Sequence, residues 1–181
     1  ELASEKGLDG FTIEDVVRRA RYSRRTFANH FSCKEEAVAM AVLSIGSDHD
    51  DVLSEVEVDG NAAPVEALQH WMRLQFTADL LRKLRRLVQL SKEHSTLEPY
   101  VLIVLQRLQK AAQEELDRSY GKRYPTGYTH LLAGAVFGAV LPVIDGALNV
   151  RIPGDSAAED ADAMTFDEYL EFTFNYLKNG F

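Results

Sequence analysis

The placement of glycine and proline constrains the fold of this 181-residue chain more than any other feature. The chain has 11 glycines and 5 prolines, and outside one apolar segment they gather at a few junctions. Both residues disfavour helix interiors, so the long stretches between these junctions are typical of helices joined by short turns. No stretch alternates apolar and polar residues as a half-buried strand does. The chain is therefore predicted to be all-α.

Hydrophobic periodicity predicts seven helical segments, of which the fourth is long enough to be broken in two. They lie at about residues 12–19, 23–30, 34–57, 64–94, 98–119, 127–149 and 166–178. The junctions that precede or separate these segments are residues 7–10, 59–61, 121–126 and 153–155. The composition, 46% hydrophobic and 27% charged, is that of a folded protein, and the length allows one or two domains.

The charge of the chain is unevenly distributed. The formal net charge is −8, which by itself argues against nucleic acid, because affinity for phosphate comes from Lys and Arg. Residues 1–45, however, hold seven basic and seven acidic residues, so the remainder carries the whole −8. Between Val16 and Lys34 there are six basic residues and no acidic one. The sequence thus predicts a basic island on a small N-terminal unit, followed by an acidic body.

The basic island contains two short helical segments with their own start signals. Thr12 is a natural N-cap, and Asp15 places a carboxylate in the positive first turn. Ser23 offers a second N-cap three residues after the first segment ends, and Phe27 and Phe31 then share one side. Two short helices joined by a three-residue turn indicate a helix-turn-helix, whose second helix enters the DNA major groove.

The side chains at the exposed positions of the second helix are of types that contact DNA. Arg24 and Arg25 stand in its first turn, where recognition helices meet base edges and Arg can pair bidentately with guanine. A basic run is more often a solvated helix face than a DNA site. The helix spacing and both caps together favour DNA here. The remaining polar candidates for base or phosphate contacts are Thr26, Asn29, His30 and Lys34.

The stretch from Gly10 to Lys34 resembles the TetR family of bacterial transcriptional regulators. The similarity covers about 45 residues and rests on the Gly7–Gly10 turn, Thr12-Ile13, Ser23, Phe27, His30-Phe31 and Lys34-Glu35-Glu36. It implies a DNA-binding domain at 1–45 and a helical effector-binding and dimerisation domain at 46–181. It also implies phosphate contacts from Thr12 and Lys34, base contacts from Arg24, Arg25 and Thr26, and base or backbone contacts from Asn29 and His30.

Three positions depart from the family pattern. Family members have a longer first helix, so the chain, which starts at Glu1, is expected to lack an N-terminal portion of it. Arg21 stands where the turn usually holds glycine, so we expect a positive φ there at a cost of about 1–2 kcal/mol, offset by a phosphate contact. Cys33 replaces a better helix cap, while Ser32 and Glu35 have the spacing of a capping box.

The resemblance also implies a homodimer, formed by the last two long helices of each subunit. In this chain they correspond to Thr129–Asn149 and Phe166–Leu177. Gly134, Ala135, Gly138 and Ala139 would let another helix approach the first of them closely. The second helix carries one apolar stripe, made of Phe166, Tyr169, Leu170, Thr173, Phe174 and Leu177.

Polar side chains surrounded by apolar residues are the candidates for an effector site in the body. An aromatic stripe is more often core, and an isolated His or Asp is more often paired in a core or at a subunit interface. Asp145 is the sharpest candidate, because a buried unpaired carboxylate costs several kcal/mol. The full candidate set is Trp71, Met72, Gln75, Phe76, Tyr100, Val104, His130, Phe137, Leu141 and Asp145.

The sequence therefore predicts a cytoplasmic, dimeric repressor released from a palindromic operator by a small apolar or amphipathic effector. The alternative is a helical protein-interaction module whose DNA-reading head does not bind DNA. An enzyme with a cryptic site finds little support, because no known catalytic or metal motif occurs. No cofactor and no membrane contact are expected, since the longest apolar run, Leu131–Ile144, has 14 residues. The lone Cys33 excludes an intramolecular disulfide and is expected to be a small, partly buried hydrophobe.

Overall fold

A computed structural model describes residues 2–43, 62–153 and 163–180. We call the first four helices the head and everything from residue 62 onward the body. The head contains α1 (Leu2–Lys6), α2 (Ile13–Ala20), α3 (Arg24–His30) and α4 (Lys34–Met40). The body contains α5 (Pro64–Gln75), α6 (Ala78–Glu93), α7 (Glu98–Tyr120), α8 (Thr126–Asp145) and α9 (Phe166–Asn179), with a 3-10 turn at Ser95–Leu97. The all-α prediction is confirmed.

The body is organised around α7, which packs against α5, α6, α8 and the α4 helix of the head. Its core is continuous and tightly filled: Met72, Val104, Val136 and Phe174 have no exposed surface. A polar contact joins three elements at one end, where the Arg85 guanidinium donates to the carbonyls of Val143 and Val150, both at 3.1 Å. The packing of α4 on α7 therefore joins the head to the body.

The helix boundaries agree with those predicted from the sequence where residues next to the helix end determine that end. The predicted 64–94 segment breaks at Phe76 and Thr77, and the Thr77 hydroxyl accepts a hydrogen bond from the Leu80 amide at 3.3 Å. The predicted 127–149 helix ends at Asp145, because Gly146 adopts a left-handed conformation with φ of 82°. Residues 44–57 of the predicted 34–57 helix, the junction at 59–61 and the 45/46 domain boundary lie outside the described residues.

Two features of the body correct the sequence interpretation. A two-residue strand, β1 (Val150–Arg151), pairs in parallel with β2 (Met164–Thr165), although no strand was expected; two residues are too few to show a period. The apolar stripe of the last helix also packs inside its own subunit, with Phe166, Leu170 and Phe174 at most 2% exposed. This stripe therefore belongs to the hydrophobic core of the subunit.

Among the described residues, one helix, α8, meets the length and composition criteria for crossing a membrane. The window Gly127–Asp145 has 19 residues and a mean hydropathy of 1.6, so the expectation that the apolar run is too short does not hold for the helix as folded. About 44% of this window is buried inside the body. Its inner side carries Ala133, Val136 and Val140, each at most 1% exposed. A core helix of a globular protein passes the same test.

Candidate DNA-binding site

The start of α2 is fixed by a reciprocal cap. The Thr12 amide and hydroxyl both donate to the Asp15 carboxylate at 2.9 Å, and the Asp15 amide donates back to the Thr12 hydroxyl at 3.3 Å. These bonds, first the one from the Thr12 amide, lower the pKa of Asp15 below its ordinary value. Thr12 is thereby held at the N-terminus of α2, the position for which the family resemblance implies a phosphate contact.

The turn between α2 and α3 contains the expected strained arginine. Arg21 has φ of 57° and ψ of 34°, and its amide bonds the Arg18 carbonyl, so it ends α2 in the left-handed region. Among the described residues it is the only non-glycine with a positive φ. The prediction of positive φ at Arg21 is confirmed, and its side chain is exposed. A residue that destabilises the turn but leaves a cation at the surface is well placed for a phosphate.

Replacing Arg21 should therefore move stability and DNA affinity in opposite directions. Arg21→Gly removes a left-handed penalty of about 1–2 kcal/mol, less about 0.5–1 kcal/mol for the freedom glycine adds to the unfolded chain. We expect the free energy of unfolding in urea to rise by about 0.5–1 kcal/mol. The slope of log affinity for DNA against log salt should become shallower by about 0.9 per subunit.

Arg21→Asn serves as the control, because asparagine tolerates the left-handed region and removes the same charge. It should give the same loss of salt dependence. Unchanged DNA affinity in both variants would contradict the phosphate contact, whereas unchanged stability would contradict the strain.

The recognition helix α3 is capped and packed so that its polar face stays outside. The Thr26 amide donates to the Ser23 hydroxyl at 3.0 Å, and the two hydroxyls lie 2.9 Å apart. On the inner side Phe27 is buried, with its ring centroid 5.4 Å from that of Phe31. The polar side chains left exposed on α3 are Arg24, Arg25, Asn29 and His30, while Thr26 is half-buried.

The cations of the basic island differ in how they are engaged. Arg18 pairs with Asp15 at 3.2 Å, and Arg19 forms two bonds of 2.8 Å with Glu5, which join α2 to α1. Arg24 pairs with Glu14 at 2.9 Å. Arg21 and Arg25 make no ion pair with any described residue. These two guanidinium groups are the most available for DNA.

Lys34 has an internal role that sequence reasoning missed. Its ammonium donates to the Leu8 carbonyl at 2.8 Å and to the Phe11 carbonyl at 3.5 Å, and it lies 5.5 Å from the centroid of the Phe11 ring. Lys34 thus ties α4 to the turn that follows α1. A phosphate contact from Lys34 stays a prediction, and it would have to compete with these bonds.

The cap of α4 lies one residue further along than expected. Glu36, and not Glu35, accepts bonds from the Ser32 amide at 2.7 Å and the Ser32 hydroxyl at 2.6 Å. These bonds, first the one from the hydroxyl, lower the pKa of Glu36. The reason is that Cys33 is the N-cap, with its sulfur accepting from the Glu36 amide at 3.4 Å. The Ser32–Glu35 capping box is therefore wrong.

Cys33 also connects the head to the body. Its sulfur is hydrogen-bonded to the Tyr100 hydroxyl at 3.2 Å, and the hydrogen bond with Cys33 is the main cause that raises the pKa of Tyr100. Tyr100, expected at an effector cavity, therefore lies at the junction of head and body. Two further contacts cross this junction: Arg107 bonds the Met40 sulfur at 3.2 Å, and the His94 ring nitrogen lies 3.5 Å from the Asp9 carboxylate.

The structure brings only some of the ten effector-site candidates together. Five of them, Trp71, Met72, Phe76, Val104 and Phe137, are buried in one core, where the Phe76 and Phe137 rings meet edge to face at 5.7 Å. Gln75 is half-buried on the same helix as Trp71.

The other three candidates lie on the outside of α8. His130 pairs with the Gln113 side chain at 3.0 Å, and Leu141 is 38% exposed. Asp145 is exposed, and its carboxylate accepts from the Ala147 amide at 2.7 Å. The expectation that Asp145 is a stranded buried carboxylate is therefore wrong, because the helix ends there and the side chain caps the turn.

The described residues enclose at least two open spaces. A small one, about 10 Å³, lies between α5 and α7 beside Trp71 and Tyr120. A larger groove, about 610 Å³, separates the head from α6 and is lined by apolar residues and four cations, Arg19, Lys34, Lys83 and Arg86. Within the described ranges no group of three His, Cys, Asp or Glu side chains is placed to hold a metal ion.

Two short capped helices, a three-residue turn and arginines exposed on the second helix define a helix-turn-helix DNA-binding protein. Residues 1–39 match the family model of the bacterial regulatory proteins of the tetR family. The head is thus similar to the helix-turn-helix domain of the TetR family of transcription regulators. The match covers the head. Comparisons with curated proteins and with solved structures return no match for the chain.

Proposed function

We propose that this protein is a dimeric repressor that binds a palindromic operator through α3 of each subunit. The observation that carries the proposal is the first turn of α3, where Arg24 and Arg25 are exposed and Arg25 has no ion-pair partner among the described residues. Two arginines at a helix N-terminus oppose the helix dipole at about 0.3–1 kcal/mol each. Folding stability therefore does not account for them, whereas pairing with guanine O6 and N7 does.

The proposal assigns the DNA contacts by position in the head. Arg24, Arg25 and Thr26 read bases at the N-terminal end of α3. Asn29 and His30 contact bases or backbone from the next turn. Thr12, Arg21 and Lys34 contact phosphates on either side. We take residues 1–45 as the DNA-binding domain and 46–181 as the domain for effector binding and dimerisation.

A salt titration distinguishes this function from the alternative, a helical interaction module with a silent head. Each phosphate contact made by a cation contributes about −0.9 to the slope of log affinity against log salt. For a dimer with Arg21 and Lys34 on phosphates we expect a slope of roughly −3 to −4 by fluorescence anisotropy on double-stranded DNA. Absent binding, or binding without salt dependence, would favour the interaction module.

We further propose that a small apolar or amphipathic effector enters the body beside Trp71. The support is the indole N–H of Trp71, which is buried and bonds no described residue, at a cost of about 1–3 kcal/mol. The space beside it is about 10 Å³, room for about one water, so binding has to widen it. Trp71 is the single tryptophan of the chain. Saturable change of its fluorescence should accompany effector binding; an effector that dissociates the DNA complex without such a change would place the site elsewhere.

Release of DNA requires that the effector prefer a conformation whose two α3 helices no longer match the half-site spacing. An effector with equal affinity for both conformations would shift nothing. The contacts of Cys33 with Tyr100 and of Met40 with Arg107 are the polar links through which movement of α7 reaches the head.

A further inference from the structure

The groove between the head and α6 has the size and the mixed lining of a small-molecule site. Its volume of about 610 Å³ falls within the range of about 300–1,000 Å³ that is usual for such sites. Helices α1, α2 and α4 of the head line one side, and α6 lines the other. Both sides carry apolar side chains, among them Val16 and Val38 of the head and Leu87 and Leu90 of α6. A ligand in this groove would contact the head and the body at once.

The charged side chains that line the groove all have the same sign. Among the described lining residues there is no Asp or Glu. Two of the four lining cations are engaged by carboxylates outside the lining, since Arg19 bonds Glu5 at 2.8 Å and Lys83 pairs with Asp79. The other two lining cations are Lys34 and Arg86.

Lys34 and Arg86 keep a positive charge that no described carboxylate compensates. Lys34 donates to the carbonyls of Leu8 and Phe11, which are neutral and leave its charge in place. Arg86 is exposed and makes no ion pair with a described residue. Apolar side chains beside uncompensated cations suit an apolar chain that ends in an anion. A neutral apolar molecule would leave these charges unmatched, and a cation would be repelled.

We propose that this groove binds an amphipathic anion, namely an apolar chain that ends in a carboxylate. The chain packs against the apolar side chains of α4 and α6, where each methylene taken out of water raises affinity by up to about 4-fold. The carboxylate lies among the cations of the lining, of which Arg86 presents the planar fork that binds carboxylates in two places. The ligand contacts the head and α6 together, so its binding favours conformations that keep the groove at this width. The site is separate from the space beside Trp71, and the inference goes beyond the proposed function and does not depend on it.

The experiment titrates the full chain, without DNA, with three probes that share one apolar chain and differ in charge. The probes are decanoate, decanol and decyltrimethylammonium, each kept below the concentration at which it forms micelles. Calorimetry should show saturable binding of about one decanoate per chain, roughly 10-fold tighter than decanol. The cationic probe should not bind saturably. Octanoate should bind more weakly than decanoate, by up to about 4-fold for each missing methylene.

Arg86→Gln removes the exposed cation of the groove and tests the contact with the carboxylate. It should weaken decanoate binding by about 5- to 10-fold, which lies between the effects of an exposed ion pair and of a charged hydrogen bond, and should change decanol binding by less than about 2-fold. Arg82→Gln is the matched control, because Arg82 is exposed one turn earlier on α6 and does not line the groove. Its affinity for decanoate should stay within about 2-fold of the parent.

Ala41→Phe tests the position of the ligand without removing a cation. Ala41 is exposed and lines the groove directly after α4, so a ring at this position fills part of the space while the fold is kept. Binding of decanoate and of decanol should both be lost, and the urea midpoint of the variant should match that of the parent.

Four results would overturn the inference. Decanoate that does not bind saturably, or decanol that binds as tightly, would contradict an anion site. An equal loss in Arg82→Gln and Arg86→Gln would indicate a general attraction of anions to α6. A folded Ala41→Phe variant that binds decanoate like the parent would place the ligand outside the groove. Each measurement is made without DNA, so these results leave the proposed operator binding untouched.

Discussion

Arg25→Ala is expected to lower affinity for the operator by about 1–3 kcal/mol for each half-site, which is roughly 5- to 150-fold per subunit. The reason is that Arg25 is exposed in the first turn of α3 and is not engaged by a carboxylate of the head. Its guanidinium can thus pair with a base without first breaking an ion pair. In a dimer both half-sites lose the contact, so the two losses add.

Lys122→Ala is the matched control, because it removes one exposed cation from the turn between α7 and α8, far along the chain from the head. Its operator affinity should stay within about 2-fold of the parent. Urea unfolding of both variants should match the parent within about 0.5 kcal/mol, as is usual for exposed positions. Equal operator affinity of Arg25→Ala and Lys122→Ala would contradict the assignment of α3 as the reading helix.

The parts of the site that the sequence predicts are those stabilised by local interactions. The Thr12–Asp15 cap and the Ser23 cap join residues three apart, so sequence spacing alone determines their partners. The left-handed turn at Arg21 was expected from the family resemblance, because the TetR pattern usually has glycine at this position. These features fix the start of α2, the turn and the start of α3.

The parts that the sequence does not predict depend on long-range contacts. Lys34 looks like a free cation beside DNA, but the Leu8 carbonyl, 26 residues earlier, accepts from it. Tyr100 looks like a cavity residue, but it is hydrogen-bonded to Cys33, 67 residues earlier. Periodicity identifies one apolar or one polar face of a helix and gives no information on which distant element meets it.

Because periodicity does not identify the distant element that meets a helix face, two predictions for the body were wrong. The stripe containing Phe166, Leu170 and Phe174 has the period of a helix face, and that face packs inside the subunit. Asp145 lies on an apolar helix, and only the left-handed Gly146 that follows shows that the helix ends and the side chain reaches solvent. A dimer through α8 and α9 must therefore use the faces that the fold of one subunit leaves exposed.

Such a face exists on both helices. On α8, Leu131 is 72% exposed and Leu141 is 38% exposed, and Ala135 and Gly138 lie between them at helical spacing and are exposed as well. On α9, the exposed rings of Phe172 and Tyr176 meet at 4.7 Å. These apolar side chains are solvated in one subunit, so a second copy that covers them would gain stability from their burial.

Gly138 gives an independent reason to expect a close helix partner. A Cβ at this position would meet no other atom of the described chain within 4 Å. Packing within the subunit does not require glycine there, although glycine in a helix costs about 1 kcal/mol relative to alanine. The small residue is explained if another backbone approaches it from outside, as in a four-helix interface between two copies.

Leu131→Arg is therefore expected to convert the proposed dimer into a folded monomer. Leu131 is exposed in the subunit, so its replacement should leave monomer stability within about 0.5 kcal/mol, while a charge in an apolar interface has no partner. Operator affinity should fall by about 10²- to 10⁴-fold, because two linked heads bind with a high effective concentration that a monomer lacks. Sedimentation equilibrium and anisotropy on a duplex that the protein selects from a random pool measure the two effects.

Leu102→Arg is the control with the same chemical change, at an exposed leucine of α7 and outside the sequence of α8 and α9. It should remain a dimer. If Leu131→Arg also remains a dimer, the subunits meet elsewhere. If it is a monomer with unchanged operator affinity, DNA binding does not depend on two linked heads. Only loss of the dimer together with loss of operator affinity is consistent with two recognition helices held one turn of DNA apart by α8 and α9.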